Sequence, residues 1–238
     1  MKAMIFSAGL GKRLGKITEC IPKALVDING KTALQLAVEK CTSHGFDDII
    51  INVHHFADLV EEETARLIKL GYRITISEER VLLLDTGGGL FKAMEFFKKD
   101  PFLLYNVDTV TDLDLKALYR YHLRKKGMAT LAVRNRPDNK LFLIDKKGLI
   151  HGWCNKVTGE QIITGRLNKD LSEIAFSGIH IVNPEIFNYM NEGIYSMTTL
   201  YLKLAAEHKI WTFIQNGGYW FDIGTPEDLK SVRQLHIH

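Results

Sequence analysis

The first sixteen residues read MKAMIFSAGLGKRLGK, an apolar run over Ala3–Ser7 that passes straight into glycines and then into cations. An unbroken apolar run of this length predicts a strand buried on both faces, which requires a sheet covered by helices on each side. After it, Gly9 and Gly11 let backbone N–H groups approach a ligand closely because no Cβ intervenes. Lys12, Arg13 and Lys16 put positive charge beside those N–H groups, so the turn is built to hold phosphate.

The pattern repeats along the first half. Strand-like runs fall at Ala3–Ser7, Ile49–Val53, Tyr72–Ile76, Phe102–Tyr105 and Ala129–Val133. Helical spacing predicts helices over Ala33–Thr42, Ala57–Leu70, Gly89–Phe97 and Leu115–Lys125. Repeated β-α-β units predict a mostly parallel sheet with helices packed on it. Beyond about Arg134 the texture changes: a hairpin turns at Asp145–Gly148, and a strand over 174–182 stops at Asn183-Pro184. A helix is expected over Thr198–His208, a strand over Ile210–Ile214, a further strand and turn at "YWFDIG", and a last helix with Thr225 as N-cap and Pro226 at its first position. Residues 156–172 are poor in apolar side chains and read as an exposed loop.

Composition narrows the function classes. The 238 residues suffice for one domain with its own core. A net charge of +3 is too small for a nucleic-acid-binding face. No apolar run approaches the roughly 20 residues of a membrane span, and a strand at the very start leaves no room for a signal peptide. Cys20, Cys41 and Cys154 are odd in number and lack metal-ligand spacing, so they read as free thiols in a reducing cytoplasm. Nucleic acid and membrane are therefore not expected as partners.

Three phosphate-binding templates compete for the opening loop. The P-loop fails, because Ile17 follows Gly15-Lys16 where Ser or Thr is needed and Leu10 stands at the first glycine. A dinucleotide fingerprint fails, because its third glycine comes one residue late and "INVHH" carries no acid for a ribose hydroxyl. The third template fits: Ala8-Gly9-Leu10-Gly11-Lys12-Arg13-Leu14, with Pro22-Lys23 ten residues after the arginine, resembles the signature loop of the sugar-nucleotide pyrophosphorylases, the NTP:sugar-1-phosphate nucleotidyltransferases.

The resemblance extends over nearly the whole chain. "ALVDINGKTALQLAVEKC" is similar to the family's segment after the lysine, and "DTGGGLFKA" to its second glycine-rich turn, where backbone meets the nucleobase. "LLYNVD" matches the strand ending in the family's metal-binding aspartate, here Asp108; "FSGIHIV" places Gly178 where backbone approaches the sugar; "WFDIGTPEDL" places Asp222 at the second metal aspartate. Two departures stand out. Val107 replaces a usual glycine and is expected to tighten the space around the sugar phosphate, and Gly15-Lys16 replaces a common proline.

What the resemblance implies is a Rossmann-like three-layer α/β/α nucleotidyltransferase fold on a mixed, mostly parallel central sheet. It forms a single domain, with a nucleotide-binding half over about 1–133 and a sugar-phosphate-binding half over about 134–238. The activity implied is attack of a sugar 1-phosphate on the α-phosphorus of an NTP, expelling pyrophosphate. Asp108 and Asp222 would hold Mg²⁺, the hard cation such carboxylates favour. Arg13 would take the departing phosphates, and Lys23 the α-phosphate and sugar phosphate. Nucleotide contacts are expected from Ala8, Gly9, Leu10, Gly11, Lys12, Arg13, Thr86, Gly87 and Gly88, and sugar-phosphate contacts from Asn106, Lys156, Gly178 and Asp222. His54-His55 read as loop residues; Tyr219, Trp220 and Phe221 alternate on a strand and read as core, with room for one of them to line the sugar pocket.

Because the sequence ends soon after Asp222, the β-helix or regulatory extension of larger members is not expected. The short uridylyltransferases acting on N-acetylmuramate 1-phosphate resemble it most, then mannose-1-phosphate guanylyltransferases; cytidylyltransferases share the first loop. A non-catalytic nucleotide-sensing subunit on the same fold would be expected to lose these charged groups, and all four are present. The oligomeric state, including a homo-oligomer, is left open.

Overall fold

The computed structural model describes residues 1–9, 11–164 and 170–235, with backbone alone at Lys12 and Lys16. In chain order the strands are β1 (Lys2–Phe6), β2 (Asp27–Ile28), β3 (Lys31–Thr32), β4 (Asp48–Val53), β5 (Arg73–Glu78), β6 (Phe102–Asn106) and β7 (Thr109–Thr111). They continue with β8 (Ala129–Arg134), β9 (Lys140–Ile144), β10 (Ile150–Asn155), β11 (Gln161–Ile163), β12 (Ser172–Val182), β13 (Ile210–Ile214) and β14 (Trp220–Asp222). The α-helices are α1 (Ala33–Ser43), α2 (Ala57–Lys69), α3 (Asp85–Lys92), α4 (Leu115–Lys125), α5 (Met197–Leu204) and α6 (Pro226–Arg233).

Ten strands form one mixed sheet in the order β11-β10-β9-β12-β6-β1-β4-β5, with β8 beside β12 and β13 beside β8. The run β6-β1-β4-β5 is parallel throughout. β12 then lies antiparallel to β6, and the β9–β10 hairpin extends the sheet beyond it.

Alternation along β1 explains why the whole strand is apolar. Ala3 and Ile5 join the core beneath α1, α2 and α4, while Met4 and Phe6 join the core beneath α3 and α5. Each successive side chain meets a different helical layer, which gives the three-layer arrangement. Capping side chains set several helix starts: Thr32 accepts from Gln35 N, Asp114 from Ala117 N and Thr225 from Asp228 N.

Five details depart from the sequence expectations. The helix expected over Gly89–Phe97 begins earlier, at Asp85, and ends at Lys92 before a 3₁₀ turn over Met94–Phe96. Its three glycines are tolerated because the helix packs closely on Tyr195, on the Gly193 carbonyl and on the Glu79 and Asn52 side chains, where a Cβ would not fit. The helix expected over Thr198–His208 runs Met197–Leu204 and starts at the cap Ser196, whose side chain accepts from Thr199 N. The expected loop over 156–172 contains β11, recruited by pairing with β10; residues 165–169 of it lie outside the described residues. The β2–β3 pair and β7, which pairs with the expected strand β14, are too brief to leave a periodic pattern. Finally, Val107 does not narrow the sugar-phosphate space: its side chain is 5% exposed and packs in the core beneath α1, α2 and α4.

Candidate active site

From β1 the chain moves through α1 to β4 and through α2 to β5, then α3 carries it back across to β6 on the other side of β1. That reversal opens a crevice at the carboxyl ends of β1 and β6, the place where open α/β sheets take their ligands. The loop after β1 and the turn at Val107-Asp108 after β6 meet there, with the Val107 N–H donating to the Phe6 carbonyl at 3.1 Å.

The glycine loop is shaped around Lys23. Gly11 has φ +63°, and a Cβ on it would sit 3.2 Å from Lys23 Cβ and 3.1 Å from Thr18 Cγ2. Thr18 Oγ1 donates to the Gly11 carbonyl at 3.0 Å and to that of Gly15 at 3.2 Å, pinning the turn. Pro22 holds an extended backbone at the head of a short 3₁₀ turn over Lys23–Leu25. The lysine stem is thus enclosed, with 9% of the side chain exposed.

The Lys23 ammonium donates to Asp108 Oδ2 at 2.6 Å and to Asp222 Oδ1 at 3.1 Å. Arg13 Nη2 donates to the other oxygen of Asp222 at 3.1 Å. The Arg13 guanidinium lies against Gly224, where a Cβ would come within 2.7 Å of Nη2. Partial burial works against the arginine's charge, but the charge and hydrogen bond of Asp222 prevail and raise its pKa above the ordinary value.

The two aspartates are brought together by small, local means. Asp222 closes β14 and is the register partner of Thr109 on β7. Ile223 N donates to the Asp108 carbonyl at 2.9 Å. Beneath them, Leu14 from the glycine loop packs with Val26, Val110, Ile223, Leu229 and Val232, so one apolar cluster ties loop, turn and α6 together.

A groove of about 860 Å³ opens beside this centre, lined among others by Arg13, Asn106, Asp108, Gly178, Ser196, Thr198, Thr199 and Asp222. Gly178 sits where the register between β12 and β8 shifts, with φ +76°, and a Cβ there would meet Thr109 Oγ1 at 2.6 Å. Arg136 stacks 4.1 Å over Trp220, pairs with Asp138 at 2.6 Å and donates to the Phe176 carbonyl at 2.9 Å. Trp220 Nε1 donates to the Ser177 carbonyl at 2.9 Å, so this aromatic is a wall of the groove and not core. Arg136 and Asp138 are absent from the sequence expectations, which allowed one of Tyr219, Trp220 and Phe221 to line the pocket; their signal was the dense polar stretch Arg-Asn-Arg-Pro-Asp closing a buried strand. Lys156 stands in an adjoining wall with Arg13 and Asp228, ion-paired to Glu173.

Other expected nucleotide contacts lie farther round. Ala8 is buried, and a Cβ on Gly9 would meet nothing within 4 Å. Leu10 lies outside the described residues, as does the side chain of Lys12. Thr86 Oγ1 accepts from Met197 N at 2.9 Å, and Gly87 N donates to the Tyr195 carbonyl at 2.8 Å, so these residues anchor the loop before α5. Gly88 packs against the Gly193 carbonyl. A buried polar relay joins this turn to the first loop: Ser7 N donates to Asn52 Oδ1, Asn52 Nδ2 to Glu79 Oε1, and Leu84 N to Glu79 Oε2. His54 is a loop residue, its Nδ1 2.7 Å from the Glu79 carbonyl.

Among the described residues no group of three or more His, Cys, Asp or Glu converges on one point. Two carboxylates do face one cation, and that donor set suits a hard divalent ion of the Mg²⁺ kind, which takes one or two protein carboxylates and completes its shell with substrate phosphates and water. The residues present fit such an ion.

A glycine turn, two cations and two carboxylates at a switch point make this the site of a phosphate-handling α/β transferase. A family model described as "Nucleotidyl transferase" matches residues 2–236. N-acetylmuramate alpha-1-phosphate uridylyltransferase of Caulobacter vibrioides is 32% identical, over 94% of this chain and 92% of its own length. UTP--glucose-1-phosphate uridylyltransferase of Synechocystis is 30% identical over 98% of this chain, which spans 63% of that relative. A crystal structure of HddC from Yersinia pseudotuberculosis, complexed with GMP-PN, shares the fold with a TM-score of 0.79 at 24% identity, covering 98% of each chain. The chain belongs to the nucleotidyl transferase family, the sugar-nucleotide pyrophosphorylases, and is a sugar-1-phosphate nucleotidyltransferase.

Proposed function

We propose that the enzyme transfers a uridylyl group from UTP to a hexosamine-type sugar 1-phosphate, with N-acetylmuramate 1-phosphate as the preferred acceptor. The relatives support the base and acceptor: two at 30% identity or more are uridylyltransferases, and the one matched along most of its length is named for N-acetylmuramate 1-phosphate. The observation that carries the chemistry is Lys23 bonded to both Asp108 and Asp222 at the switch point.

An anion must approach a polyanion, so the barrier is chiefly electrostatic. Arg13, two-thirds exposed at the mouth, takes the β- and γ-phosphates. Lys23 spans the α-phosphate and the acceptor phosphate. Gly9 and Gly11 bring backbone N–H groups to the triphosphate, and the open space at Gly9 leaves room for that approach. Gly178, Asn106 and the Arg136–Trp220 wall seat the sugar, and Lys156 joins them at the phosphate. An oxygen of the acceptor phosphate bonds to the α-phosphorus as the bond to pyrophosphate breaks; no general base is needed, because the nucleophile is already ionised. When bound by Asp108 and Asp222, Mg²⁺ supplies charge neutralisation at the α-phosphate.

Pyrophosphate release with Mg²⁺, scanned over UTP, GTP, CTP, ATP and dTTP against a panel of sugar 1-phosphates, tests this reading. The highest rate is expected with UTP and N-acetylmuramate 1-phosphate. A clear preference for GTP and mannose 1-phosphate would replace the base and acceptor, and no release from any pair would remove the reading.

A further inference from the structure

We propose that Lys23 is the resident counter-ion of the Asp108–Asp222 pair when no nucleotide is bound, and that it makes binding of a divalent cation at those carboxylates depend on the nucleotide. The inference rests on reading the two aspartates as the cation's ligands. It assigns Lys23 a second role, distinct from contacting phosphate.

Among the described residues, both carboxylates of the pair are already engaged by cations. Two carboxylates face two cations, with Lys23 on one oxygen of each aspartate and Arg13 on the second oxygen of Asp222. A dication arriving alone would have to enter against both, beside the ammonium of a side chain that is only 9% exposed. The Lys23 stem has little room to withdraw: its side chain is 9% exposed, and a Cβ on Gly11 would sit 3.2 Å from Lys23 Cβ. Its head can still turn on a four-carbon chain, provided another anion stands within reach. A triphosphate supplies that anion: the ammonium moves from carboxylate to phosphate, and the freed oxygens take the metal. Without nucleotide, the same ammonium holds two like charges together in the geometry the metal needs. Metal and nucleotide then reinforce one another's binding, reciprocally.

The experiment is titration of Mn²⁺ alone, followed by electron paramagnetic resonance, into nucleotide-free wild type, Lys23→Met and Lys23→Arg. Lys23→Met is expected to bind Mn²⁺ about tenfold or more tightly than wild type, within the usual range of couplings. Lys23→Arg, which keeps the charge, should stay close to wild type. Asp108→Asn in the Lys23→Met background should abolish the gain. With α,β-methylene UTP present, the advantage of Lys23→Met should disappear. Equal Mn²⁺ affinity of wild type and Lys23→Met without nucleotide overturns the proposal, as does a gain that survives Asp108→Asn. If Lys23→Met lacks a cooperative melt, Lys23→Gln is judged by the same criterion. The nucleotide-free comparison reads only these side chains, so silence in the pyrophosphate assay would remove the proposed function without deciding this point.

Discussion

The backbone N–H of Ile223 donates to the carbonyl of Asp108 at 2.9 Å, so the residue after one site aspartate is fastened to the other aspartate itself. The carboxylates are therefore placed by main chain and by a small apolar cluster. Their side chains are thereby left to pair with Lys23 and Arg13.

Removing charge at the centre should then cost rate and spare the fold. Lys23→Ala and Asp108→Asn are each expected to lower kcat by roughly a hundredfold or more, the scale for losing one preorganised electrostatic group. Steady-state kinetics beside a thermal melt checks this; near-normal turnover in both variants would contradict the assigned roles.

Two glycines should behave differently when replaced by alanine. At Gly178 a methyl group would meet Thr109 Oγ1 at 2.6 Å on a backbone with φ +76°, and a loss of about 1–3 kcal/mol in stability is expected. At Gly224 the methyl would press on the far end of the Arg13 side chain, which can swing away. Gly224→Ala should keep its denaturation midpoint and raise KM for the nucleotide several-fold. A matched pair of urea melts and kinetic runs separates the two.

Arg136 reaches the acceptor wall through Trp220 and Asp138 and has no contact with Lys23 among the bonds described. Arg136→Met should raise KM for the sugar phosphate about tenfold, the scale of one lost charged contact, and leave KM for the nucleotide nearly unchanged. A rise confined to the nucleotide would move this wall out of the acceptor site.

Acid should destabilise the fold through two buried histidines. His180, bonded to the Tyr201 hydroxyl at 2.5 Å, and His122, bonded to Thr130 Oγ1 at 3.0 Å, are held by burial at pKa values of about 3 and about 4. The unfolded chain gains a proton at each near pH 6.5 while the native one does not, so stability is full above that pH and falls as pH drops toward the folded values. At pH 5 each histidine is expected to cost roughly 2 kcal/mol relative to pH 7.5. Denaturant midpoints across that interval measure the slope; His180→Gln should flatten it.

The thiols should divide by exposure. Cys20 is exposed. Burial drives the Cys41 thiol far above its ordinary range, and burial together with the Glu173 charge raises Cys154. One thiol should react rapidly with a disulfide reagent in the native enzyme and all three in denaturant. Rapid reaction of two or more native thiols would show that the core opens.

Much of this was legible along the chain because the period of each element is local. β1, β4, β6 and β8 announce themselves by apolar runs and β5 by alternation, and α4 matches its expected bounds, Leu115–Lys125, because Asp114 caps it and its apolar stripe is complete. The glycine loop, Lys23, Asp108 and Asp222 were readable as motif, since glycine and charge beside a strand have few other uses. β14 was legible too, as the strand that ends in Asp222, but its partner β7 was not, because three residues carry no period and β7 exists as a strand only by pairing with β14.

The amino-acid sequence by itself determined the layered α/β class, the glycine loop after β1 and the identity of the charged groups beside it. Tertiary structure alone decided that Lys23 lies between the two aspartates, that Val107 turns into the core, and that Arg136 and Trp220 form a wall. The physical reason is range: backbone preference and amphipathic period act over a few residues, while these contacts arise where a sheet and its loops bring distant segments within a hydrogen bond of one another.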